Sequence, residues 1–273
     1  MFGLSLLKHR SSRDAFSSSR RMFRRAARGV ERLEPRLAPS GMGILPSQST
    51  PPTAVFNTVP ANGDGNPYGV SVVPSGFPAG GVLNPGDVLV TNFNSAALGQ
   101  GTGTTIVRIT PAAPANPPAV FFASPLQGVD TPPVIFKAGF VAVGNVPLGP
   151  NGTIGQGAVQ IIDSSGNLVA TLTDPKLLAD PWNLAVNDQG KFVQLFVSNV
   201  SGQTGDHGTV TRVDISIVKG KPVVDDMVQI ASGYRTRLDP AALVVGPGGL
   251  AFDAKSDTLL RSMRATSTRA GVV

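Results

Sequence analysis

Three asparagines recur at nearly constant spacing, and each closes a short apolar run. The runs read DVLVTNF (87–93), GFVAVGNV (139–146) and QLFVSNV (194–200). Their asparagines, Asn92, Asn145 and Asn199, stand 53 and 54 residues apart. An amide side chain both donates and accepts hydrogen bonds, so three of them at one level of a fold predict a polar rim that binds a ligand. The alternative is structural, because asparagine at a strand end also caps the following turn.

Two aromatic residues occupy matched positions ahead of these runs. Tyr68 lies in NPYGVSVV (66–73) and Trp182 in DPWNLAVN (180–187). Such rings offer flat surfaces to a sugar or a peptide, and we therefore include both among the candidate ligand-binding residues. Packing between neighbouring elements of the fold is the alternative.

The residue types that most enzymes rely on are scarce. The chain has no cysteine, which excludes disulfides, thiolate metal sites and cysteine nucleophiles. Its two histidines are His9, near the start, and His207, in the loop SGQTGDHG, so a Ser-His-Asp triad would depend on His207 alone. We predict no catalytic residue.

Acidic side chains do not form a recognisable metal-binding motif. After residue 36 all 14 acidic residues are aspartates, several of them in polar turns (Asp64, Asp206, Asp225, Asp226). None has the D-x-D-x-D-G spacing of a calcium loop, and aspartate commonly forms turns by bonding its own backbone. We therefore predict no metal site and no cofactor, with calcium as the alternative.

The recurring residues have to be positioned by recurring elements. A second marker supports the period: Arg108, Gln160 and Arg212 are each 52 residues apart, in TIVRIT, AVQIID and TVTRVD. Short alternating segments and Gly-rich or Asx-rich turns fill each unit, and the third unit shows four candidate strands (WNLAVND, QLFVSNV, TVTRVDIS, DMVQIAS). Four-stranded units repeating at this length are typical of a β-propeller. We predict an all-β fold, a partial β-propeller of about 3.5 to 4 four-stranded antiparallel blades.

The propeller is preceded by a basic leader. Residues 1–36 contain ten Lys or Arg and three acidic residues, whereas the rest of the chain has a net charge of −1. The predicted organisation is a disordered basic leader (1–40), a Pro/Ser/Gly-rich linker (41–62), propeller blades (63–260) and an irregular basic tail (261–273). A nucleic-acid-binding arm is disfavoured because no recognition fold follows, and no segment reaches the ~18 apolar residues of a membrane span.

The fourth unit begins with GGLAFDAK (248–255) and DTLL (257–260), and the pattern then stops. Residues 261–273 carry three arginines and no fourth asparagine. Two explanations stay open, a natural basic end and a reading frame that shifted or was truncated near Leu260. An open propeller exposes one face of each terminal blade, which predicts either poor solubility or association of two chains through the open blade edges.

Two resemblances follow from these motifs. The string Leu33-Glu34-Pro35-Arg36 resembles the LEPR-type N-terminal motif of exported or surface proteins of certain bacteria, which implies an exported, periplasmic or cell-surface protein. Residues 66–260 resemble NHL-like and gluconolactonase-like propellers, in their NPYGV entry, TNF and SNV strand ends and GTVTRV strand. Gluconolactonase-like proteins generally bind a divalent metal with a Glu, yet the only glutamates here are Glu31 and Glu34.

We therefore predict an exported or surface-associated binding or scaffold protein whose partner is a small molecule, a glycan or a protein. The alternatives are an atypical or degenerate lactonase or hydrolase of the gluconolactonase-like group, and a nonfunctional truncated fragment.

Overall fold

A computed structural model describes residues 54–128, 131–147, 154–200, 207–239, 243–263 and 271–272. The chain divides into two units, Met1–Thr53 and Ala54–Val273, and the strands and contacts described below belong to the second. The basic leader, its LEPR string and the first part of the linker lie outside the described residues, as do residues 264–270 of the tail. In the described stretches no helix has the length and apolar character that crossing a bilayer would need.

Blade 1 is a four-stranded antiparallel sheet with its strands in chain order. Its second strand, VLVTNFN, is rich in β-branched and other apolar residues, and the neighbouring residues Leu89 and Val90, which point to opposite faces of the sheet, are both buried. The strands are β1 (Gly65–Val72), β2 (Val88–Asn94), β3 (Thr105–Ile109) and β4 (Ala119–Ala123).

Blade 2 repeats this arrangement over the next unit of the sequence. Its outer hairpin turns at Gly166, whose φ of 86° is a conformation that glycine adopts without strain. The strands are β5 (Val134–Phe136), β6 (Phe140–Asn145), β7 (Ala158–Asp163) and β8 (Leu168–Leu172).

Blade 3 contains the four strands that the sequence predicts, with a longer outer hairpin. Strands β11 and β12 pair from Val218 and Lys221 at the turn back to His207 and Arg235. The strands are β9 (Pro181–Asp188), β10 (Phe192–Asn199), β11 (His207–Val218) and β12 (Lys221–Arg235).

The remaining strands form two smaller sheets. Strands β13 (Arg237–Asp239) and β14 (Leu243–Val245) pair with each other. Blade 4 comprises β15 (Pro247–Asp253), β16 (Thr258–Met263) and β17 (Gly271–Val272). Strand β16 continues past Leu260, where the sequence pattern stops, and Leu260 pairs with Val272.

The blades pack face to face through three apolar clusters. Leu89 and Ile106 of blade 1 share a cluster with Val141, Val143 and Ile162 of blade 2. Blades 2 and 3 share the cluster that contains, among others, Phe136, Ile161, Leu195 and Val213. Blades 3 and 4 meet through Phe196, Val210 and Leu259, with Phe252 packed against them. Consecutive sheets that cover one another in this way confirm the predicted fold class, a partial β-propeller of four-stranded antiparallel blades.

Proline at a blade entry packs against glycine of the preceding blade. A Cβ atom placed on Gly157 would lie 2.4 Å from Cδ of Pro181, and one on Gly208 would lie 2.4 Å from Cδ of Pro247. Both glycines come directly before the third strand of their blade or lie at its start. The close approach explains why the sequence pairs a Pro-led first strand with a Gly-led third strand.

Candidate functional site

The three recurring asparagines are fully buried, each with an exposed fraction of 0%. Asn145 and Asn199 end strands β6 and β10, and Asn92 lies two residues before the end of β2. The period therefore marks equivalent strand ends, as predicted. Because the side chains are buried, these amides do not form an exposed rim in this structure.

The amide groups instead hold the chain where it approaches each blade. In all three cases Nδ2 donates to a backbone carbonyl that precedes the first strand of the same blade. The Oδ1 atom of each is buried with no hydrogen-bond partner among the described residues. The three donor–acceptor pairs are Asn92 with Thr58 (2.9 Å), Asn145 with Gln127 (3.0 Å) and Asn199 with Leu177 (3.0 Å).

Asp64 takes part in the same arrangement at blade 1. It is 2% exposed, and its Oδ2 accepts from the Thr104 backbone N–H (2.9 Å) and the Thr105 hydroxyl (3.0 Å). Thr105 Oγ1 also accepts from Asn92 Nδ2 (3.4 Å). The carboxylate that we considered as a calcium ligand is thus held in a protein hydrogen-bond network that joins the entry loop to β3.

The residues that directly follow the asparagines converge in one apolar cluster. Phe93, Val146 and Val200 pack together with Trp182, and Ile154 contacts the same group. Since these residues come from three different blades, the cluster lies where the blades meet. The strand ends that the period identified are therefore close to one another in space.

Tyr68 completes an aromatic cluster that we define as Tyr68, Phe93 and Trp182. The ring of Tyr68 lies 5.1 Å from that of Phe93 and 6.1 Å from that of Trp182, the latter pair edge to face. Phe93 and Trp182 are also 6.1 Å apart and edge to face. Such separations are typical of favourable aromatic pairs. The two residues that the sequence matched, Tyr68 and Trp182, thus belong to one group.

The three rings differ in their access to solvent. Tyr68 is 44% exposed, whereas Trp182 is 8% and Phe93 3% exposed. The pairing of β1 with β2 shifts register between Pro67 and Gly69, so Tyr68 is the extra residue of a bulge. Bulges commonly re-aim a side chain, and here the bulged residue is the ring that faces solvent. Sequence reasoning missed Phe93, although its position directly after Asn92 was a usable signal.

A separate cavity of about 330 Å³ lies between blades 3 and 4. Arg212 lines it and forms an ion pair with Asp214 at 3.0 Å. Phe196 and Phe252 stack beside it with ring centroids 5.2 Å apart. Recognising this cavity needs the contact between two blades, so no single stretch of sequence could have revealed it. Its remaining lining residues are Gln194, Ile230, Asp257 and Leu259.

The other candidates are dispersed over the fold. His207 is exposed at the first position of β11, and Asp206 lies outside the described residues. Asp225 accepts a hydrogen bond from the Ser216 hydroxyl on the neighbouring strand. Within the described ranges, no three His, Cys, Asp or Glu side chains are grouped so that they could hold a metal ion.

Comparison with known proteins gives a structural likeness at the level of the fold. No protein-family model matches this chain, and no curated protein matches it. Among solved structures, the Pseudomonas aeruginosa periplasmic gluconolactonase PpgL is similar with a TM-score of 0.37 and 13% identity, over 76% of this chain and 71% of that one. The propeller assignment rests on the strand order and the blade packing described above.

Proposed function

We propose that the protein is an exported or surface-associated β-propeller that binds a glycan at the aromatic cluster. The observation that carries this proposal is the half-exposed ring of Tyr68, which rests against the two buried rings of Phe93 and Trp182. The basic leader and the LEPR resemblance support export.

The chemistry of the cluster suits a sugar ring. The apolar face of a sugar stacks on an aromatic ring, and a ring that is held by its neighbours loses little freedom on binding. Polar groups are also close along the chain: Asn66 is exposed two residues before Tyr68, and Asn94 pairs with Gly65 in the β1–β2 ladder. Amide side chains supply both donors and acceptors for sugar hydroxyls.

In this proposal the three recurring asparagines position the site and do not touch the ligand. Each holds the approach to a blade whose strand end contributes to the apolar cluster beneath Tyr68. Asn92 is directly adjacent to Phe93 in β2, so loss of its hydrogen bonds would disturb the ring that supports Tyr68.

Trp182 makes the proposal directly testable, because it is the single tryptophan of the chain. Its fluorescence reports on the aromatic cluster without any label. Titration with a panel of oligosaccharides should change the emission for at least one sugar. The Tyr68→Ala variant should bind that sugar at least about tenfold more weakly, which corresponds to ~1.4 kcal/mol.

Leu168→Ala is the matched control, because Leu168 of blade 2 is 40% exposed and lies outside the aromatic cluster. It should bind as the unchanged protein does. Binding that is equally tight in Tyr68→Ala, or no emission change with any sugar, would refute the glycan site.

A lactone panel should give no turnover, since hydrolysis would contradict a purely binding role. Mass spectrometry of the mature N-terminus on protein from the cell envelope tests export.

A further inference from the structure

The cavity between blades 3 and 4 combines an apolar wall with charged side chains. The stacked rings of Phe196 and Phe252 form much of the wall, with Ile230 and Leu259 beside them. The volume of about 330 Å³ lies at the low end of the ~300–1,000 Å³ that is typical of small-molecule sites. The cavity therefore suits a molecule of the size of an amino acid.

Arg212 lines the cavity from blade 3 with a guanidinium group that is only partly paired. Its Nη2 contacts Asp214 Oδ2 at 3.0 Å, and its Nε is buried with no hydrogen-bond partner among the described residues. A guanidinium has more N–H donors than this one ion pair satisfies. Because the side chain is still 32% exposed, the remaining donors are within reach of a ligand in the cavity.

A row of polar side chains across blade 3 holds this guanidinium in place. Asn187 Nδ2 donates to Gln194 Oε1 at 2.9 Å, and Gln194 Nε2 lies 3.5 Å from Asp214 Oδ1. These three residues lie directly opposite one another on β9, β10 and β11. Asp214 in turn pairs with Arg212. A charged group that its neighbours already hold loses little freedom when it binds a ligand, so the arrangement is preorganised for binding.

Asp257 supplies a carboxylate from blade 4. It is exposed, it lines the same cavity from the turn between β15 and β16, and it has no ion-pair partner in the part of the chain that the structure describes. A simple organic anion would be repelled by Asp257 and Asp214, and a simple cation would be repelled by Arg212. The charges of the cavity are instead complementary to a molecule that carries one charge of each sign.

We propose that this cavity binds a free apolar α-amino acid. The ligand carboxylate accepts charge-assisted hydrogen bonds from Arg212, and its ammonium group donates to Asp257. Its side chain packs against the rings of Phe196 and Phe252. The cavity shares no residue with the aromatic cluster, so this inference goes beyond the proposed glycan site and does not depend on it.

Isothermal titration calorimetry of the full chain with L-leucine and L-phenylalanine tests the proposal. At least one of the two should bind. N-acetylation of that amino acid removes the positive charge and amidation removes the negative one, so both derivatives should bind at least about tenfold more weakly. Arg212→Gln and Asp257→Asn should weaken binding of the amino acid to a similar extent. Asparagine tolerates the positive φ of 49° at residue 257, so the second variant keeps the backbone of the turn.

Arg108→Gln and Asp225→Asn are the matched controls, because they make the same charge changes outside the cavity. Both should bind as the unchanged protein does, and so should Tyr68→Ala, which separates this site from the glycan site. Circular dichroism checks that each variant is folded. If Arg212→Gln is not, Arg212→Lys replaces it, since lysine keeps the charge beside Asp214 but lacks the planar fork and should also weaken binding.

Three results would overturn the amino-acid site. The first is the absence of heat with both amino acids, and the second is a derivative that binds as tightly as its parent. The third is undiminished binding in a folded variant of Arg212 or Asp257.

Discussion

A buried asparagine can suggest a ligand-binding residue from the sequence and yet have a structural role in the fold. The side chain of Asn145 has an exposed fraction of 0%, and its Nδ2 donates to the Gln127 carbonyl at 3.0 Å. A backbone carbonyl that is removed from water needs a hydrogen-bond donor, and in blades 1 to 3 the asparagine near the end of the second strand provides one. The constant spacing thus reflects a repeated requirement of the fold as well as a common level of the propeller.

Replacing Asn145 should therefore lower the stability of the fold and should not remove a direct contact with a ligand. Asn145→Ala removes the donor of a buried bond and should lower the free energy of unfolding by about 1–3 kcal/mol. Asn145→Asp should lower it further, because a carboxylate oxygen would then face the Gln127 carbonyl. Urea unfolding followed by circular dichroism measures both changes. Asn84→Ala, at an exposed asparagine, should change the free energy by less than about 0.5 kcal/mol; an equal loss there would contradict the argument.

Candidate residues were predictable from sequence where the repeat itself marked them. Tyr68 and Trp182 were matched by position alone, and their rings lie 6.1 Å apart. The burial of the asparagines was not predictable, because their acceptors belong to loops that share no motif. The pairing of Phe196 with Phe252 depends on two strands that are 56 positions apart in the sequence, and no local pattern reports it.

Within the strands, equal spacing along the sequence does not guarantee an equivalent position in the sheet. Arg108 pairs with Leu89 and Arg212 with Phe196, each three residues before its asparagine. Gln160 pairs with Val143, only two residues before Asn145. A shift of one residue turns a side chain to the other face, so Gln160 points toward blade 1, where its Oε1 accepts from the Ser124 hydroxyl at 2.7 Å. The 52-residue marker located the third strands correctly but did not fix which face each residue occupies.

The turn between β7 and β8 gives a prediction about pH. Burial of Asp163 raises its pKa, but hydrogen bonds from the Asn167 side chain and from the backbone N–H groups of Asn167, Ser165 and Gly166 together lower the pKa below the ordinary 3.8. The folded pKa thus lies below the unfolded one. The carboxylate contributes stability above pH 3.8, and this contribution is lost as the pH falls through the folded pKa.

Asp163→Asn should therefore lower the free energy of unfolding at pH 6 by no more than about 0.5 kcal/mol, because solvent screens this turn, and the difference from the unchanged protein should shrink below pH 3.8. Urea unfolding across that range measures the difference. Asn167→Ala removes the side-chain donor that lies 3.0 Å from Asp163 Oδ2, so carbon NMR should show the carboxyl titrating at a higher pH than before. A difference that stays constant with pH would show that the charge contributes nothing.

For the whole molecule, adjacent residues of one strand connect different pairs of blades. Ile161 and Ile162 follow each other in β7 and are 1% and 0% exposed. Ile161 belongs to the cluster between blades 2 and 3, and Ile162 to the cluster between blades 1 and 2. Blade 2 is therefore stabilised by two separate contacts, one with blade 1 and one with blade 3, as neighbouring units of a repeat protein are.

This arrangement predicts that two neighbouring substitutions will loosen opposite parts of the protein. Ile161→Ala and Ile162→Ala should each cost about 2–5 kcal/mol, since both delete buried methyl groups. Amide hydrogen exchange followed by mass spectrometry should show faster exchange in β9 to β11 for Ile161→Ala, and in β2 and β3 for Ile162→Ala. If either variant is too unstable, Ile→Val at the same position, costing about 0.5–1.5 kcal/mol, should give the same pattern more weakly. Identical exchange profiles for the two variants would mean that the blades open as one unit. The two clusters would then not stabilise their own pairs of blades independently.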